Sequence, residues 1–268
     1  MNDQTANDRI RITTIAQLAK GDAWRMEKLH SHDFDLLLWL TRGQGRANLL
    51  GMRRGVGTHN AIFLPADTLY ALDLGQQGFG QAVAIPRGAG LGFPDELTHL
   101  RIRDVQAQGE ITGIVEAMQR ESDGARPFAR EAIRAEAALM SVWMRRQMIN
   151  AEAPPKPTGA QRLIEAFTAL VAREYRSGKT MADYAGMLGV TPTHLTRTCK
   201  DCCDMTAAEI LTECTLYGAR DLIERSEMPF QVIAAEMGFG SAAYFTRFVQ
   251  SHTNATPSEL RRRRKKTT

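Results

Sequence analysis

The stretch IAAEMGFGSAAYFTRFVQSHTNATPSELR, residues Ile233 to Arg261, sets the reading of the whole chain. Extended upstream to Phe230 it opens FQVIAAEMG, and the same pattern stands 49 residues earlier as MADYAGMLG, Met181 to Gly189. In both blocks apolar residues occupy the first, fourth and eighth places, alanine the fifth and glycine the ninth. Each block is followed by a second short helical pattern ending apolar-x-Arg: Leu195-Thr196-Arg197 and Phe245-Thr246-Arg247. A short helix, a glycine turn and another helix make a helix-turn-helix, with alanine allowing close helix approach and glycine supplying the turn. Two such units joined by one long helix are predicted.

The surrounding residues agree. Thr180 with Asp183, Thr206 with Glu209 and Thr256 with Glu259 fit the capping box, where hydroxyl and carboxylate satisfy each other's backbone N–H groups. Thr191-Pro192 and Thr256-Pro257 put proline at the first helical position, and Ser241 is a further cap. Upstream, Asn150 to Gly159 (NAEAPPKPTG) holds three prolines between two helical patterns and reads as a linker. Before it, residues 24–105 carry short apolar runs punctuated by glycine, which predicts antiparallel strands. Helices are expected at about Glu110 to Glu121 and Ala129 to Asn150. In the second, Ile133, Ala137, Met140, Met144 and Met148 share one face, to pack either on the sheet or across a dimer seam.

Residues from about Gln161 to Arg262 resemble the DNA-binding domain of the AraC/XylS family of transcription regulators. Ile233, Ala234, Gly238, Phe239, Ser241, Tyr244, Phe245, Arg247, Thr256, Pro257 and Arg261 carry the likeness. Phe248 is displaced by one place, and Asn254 stands for a glycine. In the first unit Leu188-Gly189-Val190-Thr191, Leu195, Arg197 and Lys200 fit, while Cys199, Asp204 and Ala207 replace the usual Phe, Gly and Pro. The resemblance implies that the second helix of each unit enters successive major grooves about one helical turn, ~34 Å, apart. It assigns DNA contact to Thr193, Thr196, Arg197 and Lys200 in the first, and to Ala242, Ala243, Thr246 and Arg247 in the second. Arginine can bond guanine O6 and N7, threonine a base edge or thymine methyl, and alanine only apolar groups. The alternative for the two arginines is a structural or phosphate-facing salt bridge.

Over 268 residues, 34 Lys and Arg oppose 30 Asp and Glu, a net +4 in a chain 43% hydrophobic, which excludes a disordered or collagen-like chain. Residues 160–268 hold 15 basic and 12 acidic side chains, so the terminal RRRRKK, which includes Arg261 and Arg262, supplies the positive excess. That run is a candidate for phosphate contact or a solvated end. No apolar run approaches the ~18 residues of a membrane span, and the start lacks a signal-peptide core. A reducing cytoplasm is expected.

The segment from about Leu29 to Leu74 resembles, more loosely, the cupin-like effector domain of many family members. His30, His32 and Asp35 hint at a metal set, but Tyr70 stands where the last histidine belongs and His59 falls on a turn, so no metal or other cofactor is expected. His32, Leu38, Leu40, Phe63 and Tyr70 are instead candidates to line a small-molecule pocket. Cys199, Cys202 and Cys203 begin a C-x-x-C-C pattern without the second close pair a zinc ribbon needs.

The expected fold class is α+β multidomain. Residues 1–150 form a β-rich cupin-like barrel or sandwich with two helices, 151–159 a linker and 160–268 an all-α domain with two helix-turn-helix motifs. The expected function is an effector-controlled, dimeric, sequence-specific transcription regulator, an activator working through RNA polymerase on double-stranded DNA. The rivals are a cupin-type metalloenzyme fused to a DNA-binding module and a cysteine-based redox-responsive regulator.

Overall fold

The protein, seen in a computed structural model, is described over residues 9–75, 77–124, 126–152 and 156–267, with the side chains of 265–267 outside the description. The chain opens with strand β1 (Arg11–Thr14) and two single-turn helices, α1 (Ile15–Leu18) and α2 (Trp24–Glu27). Seven strands follow: β2 (Asp35–Arg42), β3 (Gln44–Leu49), β4 (Met52–Gly57), β5 (Asn60–Leu64), β6 (Tyr70–Asp73), β7 (Phe79–Ile85) and β8 (Thr98–Arg101). The β-rich half therefore begins earlier than predicted, and Trp24–Glu27 is helical, not part of a strand. His30 makes only an isolated bridge to Tyr70.

Two antiparallel sheets form, one ordered β1-β7-β2-β5-β8 and one β4-β3-β6. β2 lies inside the larger sheet, with Leu38 opposite both Ile62 and Ala82. Its run LLLWL has no polar alternation because both faces are covered. Leu36, Leu38 and Leu40 pack between the sheets with Ala47, Leu49 and Leu72. Leu37 and Trp39 point the other way with Phe63 and Val83.

Against that second face lie α3 (Val105–Asp123) and α4 (Ala129–Asn150). α3 starts about five residues before its apolar periodicity because Asp104 caps it, accepting from the Ala107 N–H at 2.8 Å. On α4, Ile133, Ala137, Met140 and Met144 are buried in the core with Trp39, Ile111 and Met118, and only Met148 reaches the surface. The packed reading of that stripe is the one the structure shows. Those four side chains are spent within their own chain and cannot form a dimer seam.

Pro154 and Pro155 of the linker lie outside the described residues. Beyond them come α5 (Gly159–Glu174), α6 (Met181–Met187), α7 (Pro192–Cys203), α8 (Ala207–Arg225), α9 (Phe230–Glu236), α10 (Ala242–Thr253) and α11 (Pro257–Thr267). Each predicted cap is in place: Thr180 and Thr206 close capping boxes, Thr191 and Ser241 accept from the third residue of α7 and α10, and Thr256 pairs with Glu259. Gly238 adopts φ +74°, and a Cβ there would stand 2.5 Å from the Arg176 carbonyl oxygen, so the repeat's glycine is sterically required. Among the described residues no helix is long and apolar enough to cross a membrane.

The two halves share a core. Leu29, Leu69 and Ala71 bury with Ile164, Phe167, Leu195 and Cys199. The β3–β4 turn presses so closely on α5 that a Cβ on Gly51 would meet the Ile164 side chain at 2.3 Å. Arg25, with 8% of its side chain exposed, donates to Asp221 at 2.8 Å and Glu224 at 2.7 Å on α8.

Candidate nucleic-acid interface

The α6–α7 and α9–α10 pairs are the two predicted helix-turn-helix units, and α8 joins them. In each, one apolar side chain anchors the second helix: Leu195 in α7 and Phe245 in α10 are fully buried. Helical spacing then turns the residues around each anchor outward. Thr193, Arg197 and Lys200 are exposed on α7, with Thr196 half-buried. On α10, Ala243 and Arg247 are exposed, with Ala242 and Thr246 half-buried. The structure thus brings each predicted set onto one helix face. Neither Arg197 nor Arg247 forms an ion pair among the described residues, which removes the structural salt-bridge alternative and leaves both guanidiniums available.

Both helices end alike. Asp204 after α7 and Asn254 after α10 take left-handed conformations, φ 63° and 53°, where the family pattern favours glycine. Asp and Asn tolerate that region better than other L-residues because their short side chains can bond locally. Cys199 and Ala207, standing for Phe and Pro, are fully buried, so the departures in the first unit sit in a closed core.

Three basic side chains depart from their expected use. Lys200 Nζ donates to the Asp204 carbonyl at 2.9 Å, tying down the helix end. The Arg261 guanidinium donates to the Ile223 and Met228 carbonyls at 3.2 and 2.7 Å and lies over the Phe230 ring. It is a structural clamp between α11 and α8, which corrects its assignment to DNA. Arg263 faces the junction between the halves, while Arg262 is exposed as expected. The side chains of Lys265 and Lys266 lie outside the described residues. Sequence reasoning missed His194 and Tyr244, both exposed beside the predicted contacts, with Tyr244 at 56%. Their signal was available, since each lies one turn before a predicted contact residue.

The predicted effector set does not form one pocket. Leu38, Leu40 and Tyr70 are buried between the sheets, whereas Phe63 belongs to the core beneath α3 and α4. The uniform apolarity of β2 and β5 hid this, because strands buried on both faces carry no inward-outward code. His32 Nε2 and the Tyr70 hydroxyl are hydrogen-bonded at 3.0 Å. His30 stacks on Tyr217 of α8 at 4.4 Å, donating Nδ1 to the Lys28 carbonyl at 2.7 Å. Burial, with the neighbouring His32, lowers the His30 pKa to about 3, and burial with Arg11 and Lys20 lowers His32 to about 4. These are neutral junction histidines. Among the described residues no three His, Cys, Asp or Glu cluster as a metal site. Burial pushes the Cys199 and Cys214 thiols up to about 12 and also raises Cys202 and Cys203, the opposite of an activated redox thiol.

Residues 184–263, from Tyr184 within α6 to Arg263 within α11, match the family described as Helix-turn-helix domain. The chain carries a helix-turn-helix domain over these residues. No curated protein sequence matches the chain. Among solved structures, ToxT from Vibrio cholerae O395 is similar at 13% identity and TM-score 0.43, over 94% of this chain and 95% of that one. The C-terminal domain of AraT, a response regulator from Geobacillus stearothermophilus, is 23% identical over 41% of this chain and 89% of its own, with TM-score 0.37. A transcriptional regulator with an AraC-type DNA-binding domain from Chromobacterium violaceum is 26% identical, covering 40% of this chain and 95% of its own at TM-score 0.35. The helix-turn-helix match is the region in which the sequence repeat, the caps and the exposed arginines coincide.

Proposed function

We propose that the chain is a sequence-specific transcription regulator in which α7 and α10 enter successive major grooves on one face of the duplex. The observation that carries this is the pairing of two like units on α8. Its 19 residues, at ~1.5 Å each, span about 28 Å, close to the ~34 Å between successive grooves. Each unit offers one guanidinium without an ion-pair partner among the described residues, and a threonine beside it. Arg197 and Arg247 are suited to guanine, Thr193 and Thr246 to base edges or thymine methyls, and the two alanines of α10 to apolar contact.

In this reading residues 1–150 sense a small-molecule effector and residues 160–268 read DNA. The homodimer uses a surface other than the buried face of α4, and activation proceeds by recruiting RNA polymerase. The effector acts only through its differential affinity for the domain arrangements. Nuclease footprinting of the full-length protein on retained genomic fragments tests it. Paired protections about one helical turn apart are expected. Retention without a discrete footprint would refute sequence-specific reading.

A further inference from the structure

The segment joining α2 to β2 is a strap that ties the N-terminal half to the first helix-turn-helix unit. Lys28 Nζ and the Leu29 N–H both donate to the Glu213 carboxylate of α8, at 2.9 and 3.4 Å, and the Leu29 side chain buries in the core that holds Leu195 and Cys199. His30 comes next. Its backbone exchanges hydrogen bonds with Tyr70 at 3.0 and 2.9 Å, while its ring centre lies 4.4 Å from that of Tyr217 on α8 and 4.3 Å from that of Tyr70 on β6. One buried imidazole is thus wedged between a helix of the C-terminal half and a strand of the N-terminal half.

The surroundings of this wedge suit a neutral ring alone. A carbonyl can only accept, so His30 Nδ1, 2.7 Å from the Lys28 carbonyl oxygen, carries the proton of the neutral imidazole. A second proton would go to Nε2, which is buried with no hydrogen-bond partner in the chain. The charged groups about it are Arg25 and Lys28 on the N-terminal side and Asp221 and Glu213 on α8, and each carboxylate already binds one of those cations, at 2.8 and 2.9 Å. Neither is left free to receive an imidazolium. His32 stands edge-on to His30 at 5.0 Å, with Nε2 on the Tyr70 hydroxyl at 3.0 Å and Arg11 and Lys20 as its charged neighbours. The low pKa values of both histidines, about 3 and about 4, agree with this geometry.

We propose that the strap is a proton-released latch: protonation of His30 and His32 detaches Lys28 to His32 from α8, withdraws Leu29 from the first unit's core and so weakens reading by α7 and not by α10. A closed strap resists the second proton, whereas an open one accepts it at the ordinary histidine value of 6.5. Between pH 7.5 and 5.5 the open form therefore gains about tenfold for each histidine and about a hundredfold for the pair. The asymmetry follows from packing, since Phe245, the anchor of α10, lies in a separate cluster to which no residue of the N-terminal half contributes. The regulatory part of the latch rests on the two-groove reading proposed above.

Amide hydrogen exchange of the full-length protein at pH 7.5 and 5.5, each normalised to the unfolded chain's rate at that pH, reads the latch without DNA. The His30 and Tyr70 amides should lose about a hundredfold in protection on acidification, and the β2–β5 ladder should keep its own. His30→Gln and His32→Gln should each leave about a tenfold loss and the double variant none, while replacing an exposed histidine of α10, His252→Gln, should leave the full change. A wild-type loss below about threefold, a loss retained in the double variant, or an equal loss across β2 and β5 would overturn the latch. If one single variant fails to fold, the wild-type ratio and the other variant still decide. Footprinting at both pH values tests the consequence: protection by the first unit should fade at pH 5.5 in the wild type and persist in the double variant. Unchanged first-unit protection beside the exchange shift would overturn the regulatory step. An exchange shift in protein with no footprint at either pH would sustain the latch and overturn the DNA reading on which its regulatory role rests.

Discussion

The two helix-turn-helix units share a sequence pattern but are held by different means. The second closes within the C-terminal half: Phe245 and Phe248 lie 5.3 and 5.1 Å from the Phe239 ring, and Ala219, Leu222 and Ile223 of α8 with Leu260 of α11 complete the core. The first borrows from the other half of the molecule, with Leu29, Leu69 and Ala71 packed against Phe167, Tyr184, Leu195 and Cys199. Where the resemblance leads one to expect phenylalanine, the first unit has Cys199, and the cluster that buries it includes residues about 130 to 170 positions earlier. A sequence that departs from its family pattern need not be loosely packed; it can be packed by something outside the pattern. The second unit should therefore depend mainly on the C-terminal half for its core, and the first on apolar residues of the sensing half as well.

The largest effect that could break this comparison is Phe245→Ala. Truncating a fully buried aromatic costs about 3–5 kcal/mol. Footprinting should show the protection nearer the second unit lost and the other kept. Loss of both would mean that the units fold as one. Next comes Leu29→Ala, expected to cost about 2–5 kcal/mol although it lies far from any DNA contact. Native-state hydrogen exchange should quicken in α6 and α7 and not in α9 and α10. Uniform loss of protection would contradict the asymmetry.

Smaller, and confined to recognition, is the pair Arg197→Ala and Arg247→Ala. Each should cost about 1–3 kcal/mol in specific binding and relax base preference in its own half-site alone. If either weakened all sequences equally, that arginine would be a phosphate contact. Acid should act on the junction too. His30 and His32 have pKa values pulled below their unfolded value of 6.5, so between about pH 6.5 and 4 the unfolded chain binds more protons than the folded one. Stability therefore rises with pH across that window and levels above it, by at most about 1.4 kcal/mol per pH unit for each histidine. Thermal unfolding between pH 5 and 7 should show this slope, and His30→Gln should flatten it. An unchanged slope in the variant would show that His30 is not the group being charged.

How much of this was legible in the sequence follows from the range of each interaction. Thr180, Thr191, Thr206, Ser241 and Thr256 were readable as caps because donor and acceptor lie three residues apart, and Gly238 because its turn is local. The outward set on α7 and α10 followed from helical geometry once the anchors Leu195 and Phe245 were placed. The assignment of Phe63 failed because β2 and β5 are apolar on both faces and offer no alternation to choose between. Arg261 misled because a basic run looks alike whether its arginines face solvent or, as here, a backbone carbonyl 38 residues away. The junction was the least readable of all. Arg25 finds Glu224 across 199 positions, a contact that no periodicity announces.

The smallest expected effect is the one that isolates the first unit's dependence on the other half. Arg53 of β4 reaches Asp204, the residue closing α7, at 2.7 Å, but both side chains are more than half exposed. Solvent screening limits such a pair to about 0–1 kcal/mol, so Arg53→Ala alone should be nearly silent. Asp204→Gly would restore the glycine of the family pattern. It relieves a left-handed conformation costing an L-residue roughly 1–2 kcal/mol, while giving the unfolded chain more freedom and removing the Arg53 partner. These terms oppose one another, so the single variant is expected near neutral, and the informative quantity is the double-mutant coupling between positions 53 and 204. A coupling below about 1 kcal/mol is expected, because the shared apolar core, with Leu29 and Leu195, carries the bracing and the ion pair only aligns it. A larger coupling would place the restraint on the recognition helix in that one charged contact. The first unit's departure from glycine at 204 would then be a docking residue selected by the sensing half.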